Sequence, residues 1–301
     1  MDPKSTPRLV LSNHFSLTMD PIPLRHTPNP GLVPTPTLTH YNPDPTKTAK
    51  PRKNPQNFKI SKTNSHQSPM GSTAAESTTV ESTDGVKLHT RLFKASDPAP
   101  DNLAVVLVHP YSVLGGFQGL LRGIATGLSE RGYHSITFDM RGAGRSTGRA
   151  SITGFSEVND VMAVCKWVTD TLSPSGIVLV GSSAGAPIAG SAVDKINEVV
   201  AYVSIGYPFG MTASILFGRH HQNILKSEKP KLFIMGTRDG FTSVKQLENK
   251  LKSSKGRTET QLIDGVGHFQ MEGPAFDNQM VGFIVDFIKS LPQKKVGESG
   301  L

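Results

Sequence analysis

Two rhythms of apolar and polar residues alternate along the chain from residue 78 onward, short β-branched runs and longer stretches with helical spacing. Thr78 to Thr83 and Lys87 to Lys94 flank Asp84-Gly85, a pair suited to a turn with positive φ, and predict a hairpin. Leu103 to Val108 is apolar without alternation, the pattern of a strand covered on both faces. In Phe117 to Arg131, Leu120, Leu121, Ile124 and Leu128 fall at helical spacing, and Gly132 stands where the helix should stop. The unit recurs as strand His134 to Met140 and helix Phe155 to Leu172, whose buried face takes in Val158, Val161, Met162, Cys165 and Val168. Cys165 therefore reads as core. Further strands are expected at Ile177 to Val180, Val199 to Ile205, Leu232 to Met235 and Gln261 to Ile263, with helices at 184–196, 211–226, 243–252 and 276–291. Strands alternating with helices predict an α/β fold with a mostly parallel sheet covered on both faces and antiparallel strands at its start. Such sheets bind ligands at the carboxyl edge of their strands.

The candidate chemistry lies at that edge. Strand Ile177 to Val180 runs into Gly181-Ser182-Ser183-Ala184-Gly185 and then a helix. The Gly-x-Ser-x-Gly string alone is common by chance, but a strand reversing sharply into a helix is the setting a nucleophile elbow needs, because only small neighbours fit around a strained Ser. Ser183 takes the nucleophile position and Ser182 is its structural neighbour. A serine hydroxyl reacts only when a base removes its proton and an acid orients that base. Later strands run into Asp239 and His268, which supply both, and the order Ser, Asp, His is that of α/β-hydrolases. Asp264, four residues before His268, is the rival acid.

On these landmarks, with His109-Pro110 after the third strand and Asp139 to Ser146 after the fourth, residues 78–292 resemble an α/β-hydrolase of the serine hydrolase type. The resemblance is to lidless members, esterase-like or serine aminopeptidase-like. It implies an eight-stranded sheet and a Ser183-His268-Asp239 triad. The usual Gly after the third-strand His is Pro110 here, and Pro has no N–H, so the two oxyanion donors are expected to be the backbones of Ala184 and Tyr111. About 20 residues separate Pro208 from Lys231, too few for a cap domain. A shallow substrate pocket is expected from Tyr111, Leu114, Phe209, Met211, Phe241 and Phe269.

Other polar landmarks read as structural. His109 is expected to hold its loop, and Asp139 to bond the Arg141-to-Ser146 turn. Gly142, Gly144 and Gly148 lack the following helix that a dinucleotide fingerprint requires. His220 and His221 are adjacent on a predicted helix and cannot share a face, so they read as a solvated or partly buried pair without a metal.

Composition changes the picture mainly at the start. Residues 1–69 hold 13 of the 22 prolines and +6 of the +8 net charge, so the rest of the chain is nearly neutral. Such a segment buries too little apolar surface to offset its ordering entropy, and it is expected to be disordered. The domains expected are thus this Pro/Thr/Ser-rich basic tail and a catalytic domain over 70–301. The tail has three acidic residues and three Arg but no amphipathic helix, so a cytoplasmic protein is expected ahead of a chloroplast or mitochondrial one. It has no basic block interleaved with aromatics, which argues against nucleic acid. One Cys excludes an internal disulfide, and no apolar run is long enough to span a membrane. The expected function is cofactor-free and metal-free hydrolysis of a small ester or thioester, with an amide as the further case and a monomer as a compatible state. A peptidase acting on short peptides and a non-catalytic small-ligand binder on the same fold are the alternatives. An acidic pair holding the substrate amine would support the peptidase, but Glu272 is the one nearby carboxylate, and one is insufficient.

Removal of residues 1–69 is expected to leave the melting temperature and the activity unchanged. A large drop in thermal stability of the shortened chain would overturn that boundary.

Overall fold

The computed structural model describes residues 75–110 and 112–292. The disorder expected of residues 1–69, and the alternative that they are a targeting segment, lie outside the described residues.

Eight strands form one sheet: β1 (Glu76–Glu81), β2 (Lys87–Phe93), β3 (Leu103–Val108), β4 (His134–Phe138), β5 (Gly176–Ser182), β6 (Val199–Ile205), β7 (Lys231–Gly236) and β8 (Thr258–Ile263). Their spatial order is β1-β2-β4-β3-β5-β6-β7-β8. β2 pairs antiparallel with β1 and β4, and β3 to β8 are all parallel to one another, so the carboxyl ends of six strands share one edge. Alternation within the strands sorts the core into two layers. Val106 and Val108 of β3 pack with α2 (Phe155–Leu172), α3 (Gly185–Ala192), α4 (Met211–Lys226) and α5 (Val244–Leu251). Val105 and Leu107 face α1 (Arg122–Ser129) and α6 (Asp277–Lys289) on the other side. β5 is buried along its whole length, as its unbroken apolar run requires. A single helix, α4, connects β6 to β7, which leaves no space for a cap domain.

Polar crosslinks lock the strand ends. His109 is fully buried, and its Nε2 accepts from the Met140 N–H at 2.9 Å. Its Nδ1, 2.5 Å from the Pro110 carbonyl, must then carry the proton and donate it. His109 thus ties the end of β3 to that of β4. Asp139 accepts from the N–H groups of Gln118 at 3.0 Å and Arg145 at 3.1 Å, which closes the turn after β4. Burial pushes its pKa up, but these hydrogen bonds outweigh burial and hold it below the usual value. Arg141 bridges Asp160 of α2 and Asp84 of the β1–β2 turn, each at 2.7 Å.

Where element bounds differ from the pattern, a tertiary contact decides. β1 lies two residues earlier than expected because the reversal takes five residues: Ser82 N–H donates to Val86 O at 2.8 Å and Gly85 N–H to Ser82 O at 2.9 Å. β8 begins at Thr258, in a polar stretch with no strand signal, because parallel pairing with β7 sets Thr258 beside Lys231. The helix expected from Phe117 opens instead as a 3₁₀ turn over Gln118–Leu121. There Gln118 is drawn to Asp139, and its side-chain oxygen accepts from Thr137 Oγ1 at 2.9 Å. His220 and His221, expected to be solvated or partly buried, are both buried. His220 joins α4 to α3 through Ser191 Oγ at 2.6 Å, and His221 Nδ1 lies 3.2 Å from the Tyr207 hydroxyl. Cys165 is buried in the core.

Burial lowers the pKa of His109 from 6.5 to about 4 and that of His221 likewise to about 4. Between those values the unfolded chain binds protons that the folded chain refuses, so stability is full above about pH 6.5 and falls as pH drops toward 4. For His109 alone the loss on going from neutral pH to about pH 4 is expected to be roughly 3 kcal/mol. Urea unfolding across that range checks it, and a flat profile would overturn the assignment of neutral buried imidazoles.

Candidate active site

Three loops at the shared carboxyl edge meet around Ser183. β5 ends at Ser182, and the chain turns into α3 with Ser183 at φ 49°, in the left-handed region that non-glycine residues rarely occupy. The turn is anchored by the Ser183 N–H to Ile205 O at 2.8 Å and the Ala186 N–H to Ser183 O at 2.9 Å. It also demands a close approach, because a Cβ on Gly185 would lie 2.1 Å from the His109 carbonyl oxygen. The two glycines and the small residues of this segment are thus a packing requirement, and the result is a serine side chain lifted to the edge of the sheet.

The other two loops are pinned to each other. The Thr237 N–H donates to Ile263 O and the Arg238 N–H to Val266 O, each at 2.9 Å, so the segments after β7 and β8 leave the sheet in step. Their registration brings Asp239 and His268 together: His268 Nδ1 is 2.6 Å from Asp239 Oδ2, and His268 Nε2 is 2.7 Å from Ser183 Oγ. The Asp239 Oδ1 atom accepts from the N–H groups of Phe241 and Thr242 at 2.8 and 2.9 Å, so the carboxylate that faces the imidazole is fixed on its far side. His268 and Asp239 are both buried. An Asp that fixes one ring nitrogen leaves the other to accept from the serine, which is the tautomer nucleophile activation needs. Phe241 lies edge-on to the His268 ring at 4.5 Å and covers it from solvent. Gly206, with φ 64°, leaves room for the ring: a Cβ there would lie 2.9 Å from His268 Cε1.

The rival acid, Asp264, is drawn elsewhere, accepting from Thr237 Oγ1 at 3.1 Å in an exposed setting. Ala184 follows Ser183 at the start of α3 and lines the cavity beside it. Tyr111 and the side chain of Leu114, expected as an oxyanion donor and a pocket wall, lie outside the described residues.

A cavity of about 360 Å³ opens onto Ser183, and Phe241 and Phe269 line it as expected of them. Phe209 and Met211 do not. Phe209 is buried in the core, stacked on Tyr207 with ring centroids 4.1 Å apart, and Met211 projects into solvent at the start of α4 with 82% of its surface exposed. The wall instead includes Ala213, Leu216 and Phe217 of α4, with Pro110, Pro208 and Glu272. Helical periodicity identifies α4 but not which of its faces turns to Ser183, so these residues were not legible; Pro110 and Pro208 carried a signal, since each follows a strand end at the carboxyl edge of the sheet. Glu272 is partly buried and accepts from Ser182 Oγ at 3.3 Å. Burial raises its pKa above the usual glutamate value. Among the described residues no group of His, Cys, Asp and Glu could hold a metal ion, and no helix is long and apolar enough to cross a membrane.

Comparison with known proteins agrees with this architecture. A family model described as the alpha/beta hydrolase fold matches residues 113–213. An alpha-beta serine hydrolase homologue from Coxiella burnetii superposes with a TM-score of 0.59 at 23% identity, covering 72% of this chain and 97% of its own. An esterase from Pyrococcus furiosus gives 0.61 at 19% identity, over 72% and 91% of the two chains. A serine hydrolase without a lid from Xanthomonas campestris gives 0.61 at 21% identity, over 75% and 100%. A comparison with curated proteins finds no match. The chain has the α/β-hydrolase fold, with an eight-stranded, mostly parallel sheet and, among the described residues, no cap domain between β6 and β7.

The close approach at the elbow has a measurable counterpart. Gly185→Ala is expected to lower stability by about 1–3 kcal/mol or more, because the clash is with backbone that cannot rotate away. Gly218→Ala, on α4 with nothing within 4 Å of its new Cβ, is expected to raise stability by about 0.4–1 kcal/mol. Chemical unfolding of the two variants beside the wild type checks both signs.

Proposed function

We propose that this chain is a serine hydrolase that cleaves carboxylic esters or thioesters through an acyl-enzyme on Ser183. The observation that carries the reading is the continuous array Asp239–His268–Ser183, with heavy-atom separations of 2.6 and 2.7 Å. In the first half-reaction Ser183 Oγ attacks the acyl carbonyl while His268 Nε2 takes its proton. The carbonyl oxygen becomes an oxyanion, and the Ala184 N–H, next in sequence to the nucleophile, is one of the donors assigned to it, with the Tyr111 N–H as the other. Collapse breaks the bond to the leaving group, which departs with the proton from His268 as an alcohol or thiol. Water then attacks the acyl-enzyme with His268 again as base, and the acid leaves as Ser183 recovers its proton. Asp239 holds the imidazole in the required tautomer throughout and stabilises the imidazolium as it forms.

The mainly apolar cavity of about 360 Å³, without a cap above it, suits an acyl or aryl group of modest size. The Coxiella protein is described as a serine hydrolase homologue and the Xanthomonas protein as a serine hydrolase, while the Pyrococcus protein is described as an esterase, and the last of these supports ester-type substrates for this chain.

The test is labelling by a fluorophosphonate probe, followed by turnover of short-chain p-nitrophenyl esters. Ser183→Ala and His268→Ala are expected to lose labelling while keeping the wild-type melting profile. Asp239→Asn is expected to keep the fold and to lower kcat by roughly 10⁴, since the amide favours the wrong tautomer. A folded wild type that neither labels nor turns over ester would sink the proposal and favour a ligand-binding role.

A further inference from the structure

Among the described residues that line the Ser183 cavity, Glu272 is the one with an ionisable side chain besides the nucleophile; the rest of the wall is glycine, proline, aliphatic and aromatic. Its place is set by the site itself. It lies four residues beyond His268, past the 3₁₀ turn His268–Gln270, and one carboxyl oxygen takes the Ser182 hydroxyl at 3.3 Å. Its carboxylate forms no ion pair with Lys or Arg among the described residues, and its charged neighbours are His268, which favours the ionised form, and Asp239, which disfavours it. Glu272 also borders a second cavity, of about 540 Å³, which shares Leu120 with the first and is flanked by Glu130, Asp277 and Arg122. The ionisable lining of this second cavity, Glu130, Glu272 and Asp277 against Arg122, is acidic overall.

Resting on the acyl-transfer reading above, we propose that Glu272 is a specificity-determining residue. It selects substrates with a cationic or amine-bearing group near the scissile bond and rejects those with a carboxylate there. The physical reason is the poor screening in an apolar cavity: unit charges several ångströms apart interact far more strongly at an effective dielectric constant of about 20 than in water. A cation meets a carboxylate that no ion pair with Lys or Arg neutralises among the described residues. A substrate carboxylate meets repulsion, and burial of both anions adds a desolvation cost. Neutral esters feel neither effect.

The experiment uses the full-length chain and two stable probes of the cavity, phenyltrimethylammonium and benzoate, titrated calorimetrically into wild type and Glu272→Gln. Wild type is expected to bind the cation at least about tenfold more tightly than the anion, and the variant to bring the ratio close to one. Should the variant fail to fold, the wild-type ratio alone decides between the two outcomes. Equal binding of the two probes by wild type, no measurable binding of the cation, or an unchanged ratio in the folded variant would each overturn the assignment. Turnover of 3-(trimethylammonio)phenyl acetate and 3-acetoxybenzoate, corrected for hydroxide hydrolysis, separates this from the proposed function. Cation-selective binding without turnover of either ester would retire the hydrolase reading and leave Glu272 as a cation selector. Turnover of both esters at equal kcat/KM with charge-blind binding would retire Glu272 and leave the hydrolase reading.

Discussion

The approach of α3 to the end of β3 is the constraint on which the site depends. With the His109 carbonyl oxygen so near Gly185, the helix start has nowhere else to go, and Ser183 is forced into a left-handed conformation that its own side chain would not choose. Strain of this kind persists only where the surroundings over-determine it. Here β5 is buried along its length, α3 is buried at every residue, and His109 fixes the opposing loop through two hydrogen bonds. Loosening any of these would let the elbow relax and drop the serine hydroxyl away from His268.

The remaining members of the array are held by the sheet, not by the elbow. Asp239 and His268 reach each other because β7 and β8 are adjacent and parallel and because two backbone bonds carry their pairing into the loops beyond. This explains why β8 forms in a polar stretch: its inward residue Ile263 is buried, while Thr260, Gln261 and Leu262 stay exposed at the sheet edge. The strand is weak by composition and is kept by pairing. The buried Arg141 with Asp160 and Asp84 works in the same manner on the other flank, fastening the β1–β2 turn and α2 to the loop after β4. Loss of either partner of the buried Arg141–Asp160 pair would leave an uncompensated charge in the interior.

Much of this was legible along the chain. The unbroken apolar runs of β3 and β6 gave their bounds, and α2 and α4 begin and end where helical spacing does. The Ser183 segment was readable because strand, small residues and helix follow in immediate succession. Less readable were features decided by remote partners: the five-residue reversal drawn toward Arg141, the 3₁₀ turn shaped by Asp139, and the polar strand β8. The pocket was least readable. Phe209 and Met211 flank one short loop and look equally suited to a substrate wall, yet one turns into the core beside Tyr207 and the other outward into solvent.

By itself the sequence determined the alternation of strand and helix, the elbow at Ser183 and the chain order of serine, acid and histidine, because each of these is written in local periodicity or in neighbouring residues. Tertiary structure decided that Asp239, and not the nearby Asp264, faces His268, and that Glu272 reaches the same cavity. These outcomes depend on which loops lie side by side at the sheet edge and on how far each side chain reaches from them. Distances between residues far apart in the chain are fixed by packing and strand register, and no local pattern encodes them.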